Sequence, residues 1–128
     1  MSYYYSRLLR LPFAAAIERA TAVLKDEGFG ILTDIDVAKT LKEKLGVAFR
    51  DYRILGACNP TLAHRALELE DKVGTMLPCN VVVQRLEDGR VEVAAIDPVA
   101  SMAAIDNPKL KEAAAEVRLK LRRAIDAL

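Results

Sequence analysis

Cys79-Asn80-Val81-Val82-Val83-Gln84-Arg85, followed by Leu86-Glu87-Asp88-Gly89-Arg90 and Val91-Glu92-Val93-Ala94-Ala95-Ile96, is the stretch that decides the fold. Both arms are short and rich in valine, as strands prefer. At period two, Cys79, Val81 and Val83 share one face of the first arm. Glu87-Asp88-Gly89 is a turn signal compatible with a hairpin. Strands joined this tightly must run antiparallel, because a parallel return needs a crossover of about a dozen residues or more. The sheet is therefore expected to be mixed or antiparallel.

Working upstream, a loop with Gly74 and Pro78 precedes the hairpin. Asn59-Pro60 starts a helix running to about Glu70, Asn as the cap and Pro in the first turn. Tyr52 to Ala57 reads as a strand. Asp36 caps a short helix with Val37, Leu41 and Leu45, stopped by Gly46. Residues 29–35 alternate, which predicts Phe29, Ile31, Thr33 and Ile35 on one face of a strand. Pro12 suits a first helical position, and Phe13, Ala16, Ile17, Ala20 and Leu24 follow at helical spacing up to Gly28. The tyrosine- and leucine-rich residues 2–10 read as the first strand. Downstream, Asp97-Pro98 breaks the last strand. Asn107-Pro108 opens a final helix whose stripe is Leu110, Ala113, Ala114, Val117, Leu121, Ala124, Ile125 and Leu128. The order β-α-β-α-β-α-β-β-α predicts an α+β fold, a single mixed or antiparallel sheet covered by helices.

The 128 residues suit a single domain over 1–128, and no repeat or low-complexity linker divides them. Lys and Arg number 19 against 18 Asp and Glu, a balance that argues against a nucleic-acid partner. No apolar run has the length of a membrane span, and Arg7 and Arg10 interrupt the N-terminal segment where a signal peptide would need its apolar core. With only two cysteines there is no disulfide framework. The expectation is a cytoplasmic protein with free thiols.

Two short segments stand out. Gly56-Ala57-Cys58-Asn59-Pro60 lies at a strand-to-helix junction and Leu77-Pro78-Cys79-Asn80 at the start of a strand. Element boundaries are where side chains can leave the core. A thiol at a helix start sits near free N–H groups that favour the thiolate, so Cys58 is a candidate nucleophile or ligand; burial as a small hydrophobe is the plainer reading. Cys79 reads as core beside Val81 and Val83. An antiparallel arrangement, with residues 71–78 climbing back, would bring the two thiols together. Asn59 is a helix cap or a ligand contact. His64, the single histidine, shares a helix face with Glu68 four residues on, away from the apolar face of Leu62, Ala66 and Leu69. It reads as half of a surface pair, as a metal ligand, or as an acid–base partner of a thiol. Cys58, His64 and Cys79 could supply three ligands to a divalent metal such as zinc, although structural zinc sites use four with local pairs. No Walker, dinucleotide or nucleophile-elbow motif is present. The basic run Arg118 to Arg123 reads as a solvated helix face.

Residues 28–33, 52–60 and 77–83, together with Ala63-His64-Arg65-Ala66-Leu67-Glu68, resemble the signatures of domain-of-unknown-function family 302. The resemblance covers nearly the whole chain. It implies a compact α+β domain acting as a homodimer, with attention on Cys58, Asn59, Pro60, His64, Glu68, Cys79 and Asn80. It supplies no activity.

Three functions fit these residues. The first is a homodimeric small-ligand or metal-binding module in which Cys58, Asn59 and His64 line a pocket backed by Cys79 and Asn80. The second is a thiol enzyme for redox or sulfur transfer, with Cys58 as nucleophile and His64 as base. The third is a purely structural assembly protein.

Overall fold

A computed structural model describes residues 2–128. The strands are β1 (Tyr4–Leu9), β2 (Gly30–Asp36), β3 (Tyr52–Cys58), β4 (Cys79–Arg85) and β5 (Val91–Ile96). The helices are α1 (Phe13–Asp26), α2 (Val37–Leu45), α3 (Pro60–Leu69), α4 (Pro98–Ser101) and α5 (Pro108–Asp126), with one 3-10 segment over Asp71–Met76. The hairpin forms as expected: Gly89 takes φ +88°, which only glycine adopts freely, and β4 pairs antiparallel with β5. The sheet has five strands in the order β1-β5-β4-β3-β2, and each neighbouring pair is antiparallel. The α+β fold is thus built on a purely antiparallel sheet.

Local chemistry fixes the helix starts. The Asp36, Asn59 and Asn107 side chains accept from the N–H of Lys39, Leu62 and Leu110 at 3.0, 3.2 and 3.1 Å. Pro60 and Pro108 occupy the first turns, where no N–H is missed. Gly46 closes α2 at φ +69°. Helices α1 and α5 cover one sheet face. Ala16, Ala20 and Leu24 of α1, with Leu121, Ala124 and Ile125 of α5, bury Leu55, Val81, Val83 and Val93 beneath them. Burying one such large side chain contributes about 1.5–3 kcal/mol. A second, smaller cluster of Ala66, Val73, Met102, Leu110 and Ala114 joins α3, the 3-10 segment and α5.

Three expectations need correction. Residues 29–35 do not keep one face. The register slips between Ile31 and Thr33: Ile31 pairs with Ala57, but Thr33 pairs with Gly56. A bulge at Leu32 flips the alternation, so Phe29 and Ile31 join the core while Thr33 and Ile35 turn to the other face. Next, Asp97-Pro98 does more than break β5. Asp97 accepts from Val99 N–H at 2.9 Å and caps α4, a helix the apolar pattern was too short to signal. Last, the basic run of α5 is not simply solvated. Arg118 Nε and Arg122 Nη2 approach Asp97 Oδ2 at 3.5 and 3.9 Å, and Arg123 Nε meets Glu27 Oε1 at 3.0 Å. These contacts tie α5 to the end of β5 and to the end of α1.

Candidate functional site

The antiparallel pairing of β3 with β4 sets Ala57 directly opposite Cys79. Cys58 is therefore beside Cys79, as the antiparallel alternative required. The thiols differ in setting: Cys79 is buried and Cys58 half-buried. Burial pushes the Cys79 thiol up to about 11, and the neighbouring Cys58 adds to the effect. Cys79 is a neutral thiol at physiological pH.

Two glycines let the motif segments meet. A Cβ on Gly56 would clash with Thr33 Oγ1 and stand 2.6 Å from Pro78 Cγ. Gly28, at φ +88°, sits where a Cβ would stand 2.8 Å from Asn59 Nδ2. The absence of side chains at these positions lets β2, β3 and the Leu77-Pro78 segment close on one another. The Leu77–Pro78 peptide is cis.

Around this junction opens a cavity of about 340 Å³. Its walls are Phe29 and Leu32, the end of β3, the inner face of α3, the Leu77-Pro78-Cys79 segment and the first half of α5. It lies where the two apolar clusters meet without filling the space between them. The reason is visible in the side chains. Ala57, Ala63, Ala66, Gly74, Ala113 and Ala114 all border it, and small residues on facing elements leave a gap.

The structure divides the sequence candidates. Cys58, Asn59 and Cys79 line the cavity. Asn80 does not: it is exposed opposite Gly56 and borders a shallow depression on the other sheet face, with Tyr52 and Val82. His64 and Glu68 also lie outside. Their side chains are 77% and 67% exposed, and His64 Nε2 meets Glu68 Oε1 at 3.0 Å. The surface-pair reading of His64 is the one the geometry supports. His64 is not among the residues that line the cavity. Among the described residues no group of three His, Cys, Asp or Glu side chains is placed to hold a metal ion, so Cys58, His64 and Cys79 do not assemble the zinc set. The spacing of His64 from Glu68 carried the outward direction; the sharing of a cavity by Cys58 and Cys79 needed the sheet. Sequence reasoning missed the apolar lining, notably Phe29, Met102 and Val117. The one signal for it was the alanine-rich faces of α3 and α5.

The chain belongs to the family described as Domain of unknown function DUF302, whose model matches residues 5–128. It is similar to a crystal structure of an uncharacterized conserved protein DUF302 from Bacillus stearothermophilus, 33% identical, with a TM-score of 0.92 over 99% of this chain and 98% of that one. No curated protein matches. Among the described residues no helix is long and apolar enough to cross a membrane.

Proposed function

We propose that this protein is a small-ligand-binding module whose site is the cavity at the β3–α3 junction. The single observation that carries the reading is the 340 Å³ cavity bordered by both cysteines and Asn59. Pockets for small organic molecules begin at about 300 Å³ and combine an apolar wall with a few placed polar groups. Asn59 borders the cavity as its one amide side chain, its Oδ1 accepting from Leu62 N–H at 3.2 Å. Cys58 offers a half-exposed thiol on the wall.

The module works as a homodimer in this reading, a second copy covering the open face of the sheet. That face presents Tyr4, Leu8 and Ile35 at 43%, 43% and 47% exposure. Its depression is bordered only by Tyr3 and strand residues. A polar row crosses it, Arg50 Nε donating to Gln84 at 2.8 Å and Gln84 Nε2 to Glu92 at 3.0 Å. A row with a cationic and an anionic end complements its own two-fold copy.

Amide chemical-shift mapping against a set of small organic fragments tests the site. Shifts concentrated on Leu62, Ala66, Cys79 and Ala114 are expected. Fragments that move only residues of the open face, or none, overturn it. Sedimentation of wild type and Val82→Glu tests the assembly, with a monomeric variant expected.

A further inference from the structure

The chemistry of the cavity wall goes further than the existence of a site. Among the described residues no Asp, Glu, Lys, Arg or His side chain lines it. The charged residues of α3 are spent elsewhere: His64 on Glu68 at 3.0 Å, and Arg65 on Glu116 of α5 at 3.5 Å. The polar side chains that remain are Cys58, Asn59 and Cys79, and Cys79 is a neutral thiol because burial opposes its ionisation. At the mouth, Leu32 is 67% and Leu67 43% exposed, so the rim is apolar as well. Exposed apolar side chains grouped at a concave mouth mark a surface meant to be covered by something apolar.

We infer that the ligand is an uncharged, largely apolar small molecule with at most one neutral hydrogen-bonding group, held with that group toward Asn59. This rests on the reading of the cavity as a ligand site. A full charge inside would be stripped of water with no ion to pair with, which costs far more than the apolar contacts return. A neutral hydroxyl or carbonyl loses less on leaving water, and Asn59 is the one amide side chain on the wall. The volume of about 340 Å³ lies near the small end of organic-ligand pockets and excludes bulky occupants.

The probe is N-phenyl-1-naphthylamine, uncharged and fluorescent in apolar surroundings, titrated onto the full chain. Octan-1-ol, octanoate and octylammonium, matched in length and differing in head charge, then compete for it. Octanol is expected to displace the probe at about tenfold lower concentration than either ion. Ala63→Phe and Gly74→Leu are expected to weaken probe binding. Ala63 is half-buried, and the only atom within 4 Å of a Cβ on Gly74 is Leu67 Cδ2, at 3.8 Å, so both variants should fold. Circular dichroism and thermal melts verify that they do. If an ion displaces the probe as well as octanol does, while both variants weaken binding, the cavity remains a ligand site and the uncharged class is wrong. If folded Ala63→Phe and Gly74→Leu both bind the probe like wild type, the site itself falls, and this inference with it.

Discussion

Gly28 and Asn59 are packed so closely that one has no side chain because the other has an amide. Gly28 lies between α1 and β2 and Asn59 between β3 and α3, and a Cβ on the first would stand 2.8 Å from Nδ2 of the second. The cap of α3 thus depends on a residue 31 positions earlier in the chain. Gly28→Ala adds left-handed strain to that clash and should destabilise the fold by about 1–3 kcal/mol. Asn59→Ala alone should cost about 1 kcal/mol as a lost cap. Urea denaturation of the two single variants and the double variant should give a sum larger than the measured double effect, since both changes act on one contact.

Gly56 should be intolerant for a different reason. Its Cβ would enter the space of Thr33 and Pro78, the latter at 2.6 Å, in the middle of the sheet. Gly56→Ala is expected to cost about 1–3 kcal/mol by overpacking. Thr33→Ser should not relieve it, because the hydroxyl is the clashing atom; Thr33→Ala should recover part of the loss. Thermal melts of the paired variants read this directly.

The thiols should part company under alkylation. Iodoacetamide at pH 8 should label half-buried Cys58 in the native protein and leave buried Cys79 untouched until denaturant is added. Intact mass before and after unfolding measures it: one adduct, then two. Equal labelling rates in the native state would contradict the arrangement.

Cys79 also sets an alkaline limit on stability. Burial raises its folded thiol from the ordinary value of 9.0 to about 11. The folded state therefore holds its proton after the unfolded state has released it, and unfolding becomes more favourable as pH rises. The Cys79 contribution should be intact below pH 9.0 and lost progressively toward about 11. Denaturant midpoints across that range should fall less steeply in Cys79→Ala than in wild type.

His64→Ala should leave both stability and probe binding near wild type. The pair with Glu68 is exposed at 77% and 67%, and such surface pairs contribute little. A stability change within about 0.5 kcal/mol is expected. A large loss of probe binding would return His64 to the site.

Much of the fold was present in local patterns. The hairpin, the side-chain caps at Asp36, Asn59 and Asn107, and the faces of α1 and α5 follow from residues a few positions apart. The reading faltered where the deciding contact is distant. The bulge at Leu32 depends on what β3 presents, and the arginines of α5 find Asp97 only once β5 lies beside them. Period and capping act over one or two turns of chain, so they cannot register either.

The site divides along the same line. Local pattern places Cys58 and Asn59 at a helix start, puts Cys79 on the valine face of its strand, and sets His64 beside Glu68. Those are consequences of helical and strand periodicity. Packing of distant elements is what brings Cys58 and Cys79 to one cavity, leaves Asn80 and His64 outside it, and gives a wall with no charged side chain among the described residues. A cavity is the space that distant elements fail to fill, and its shape exists only after β3, β4, α3 and α5 have packed.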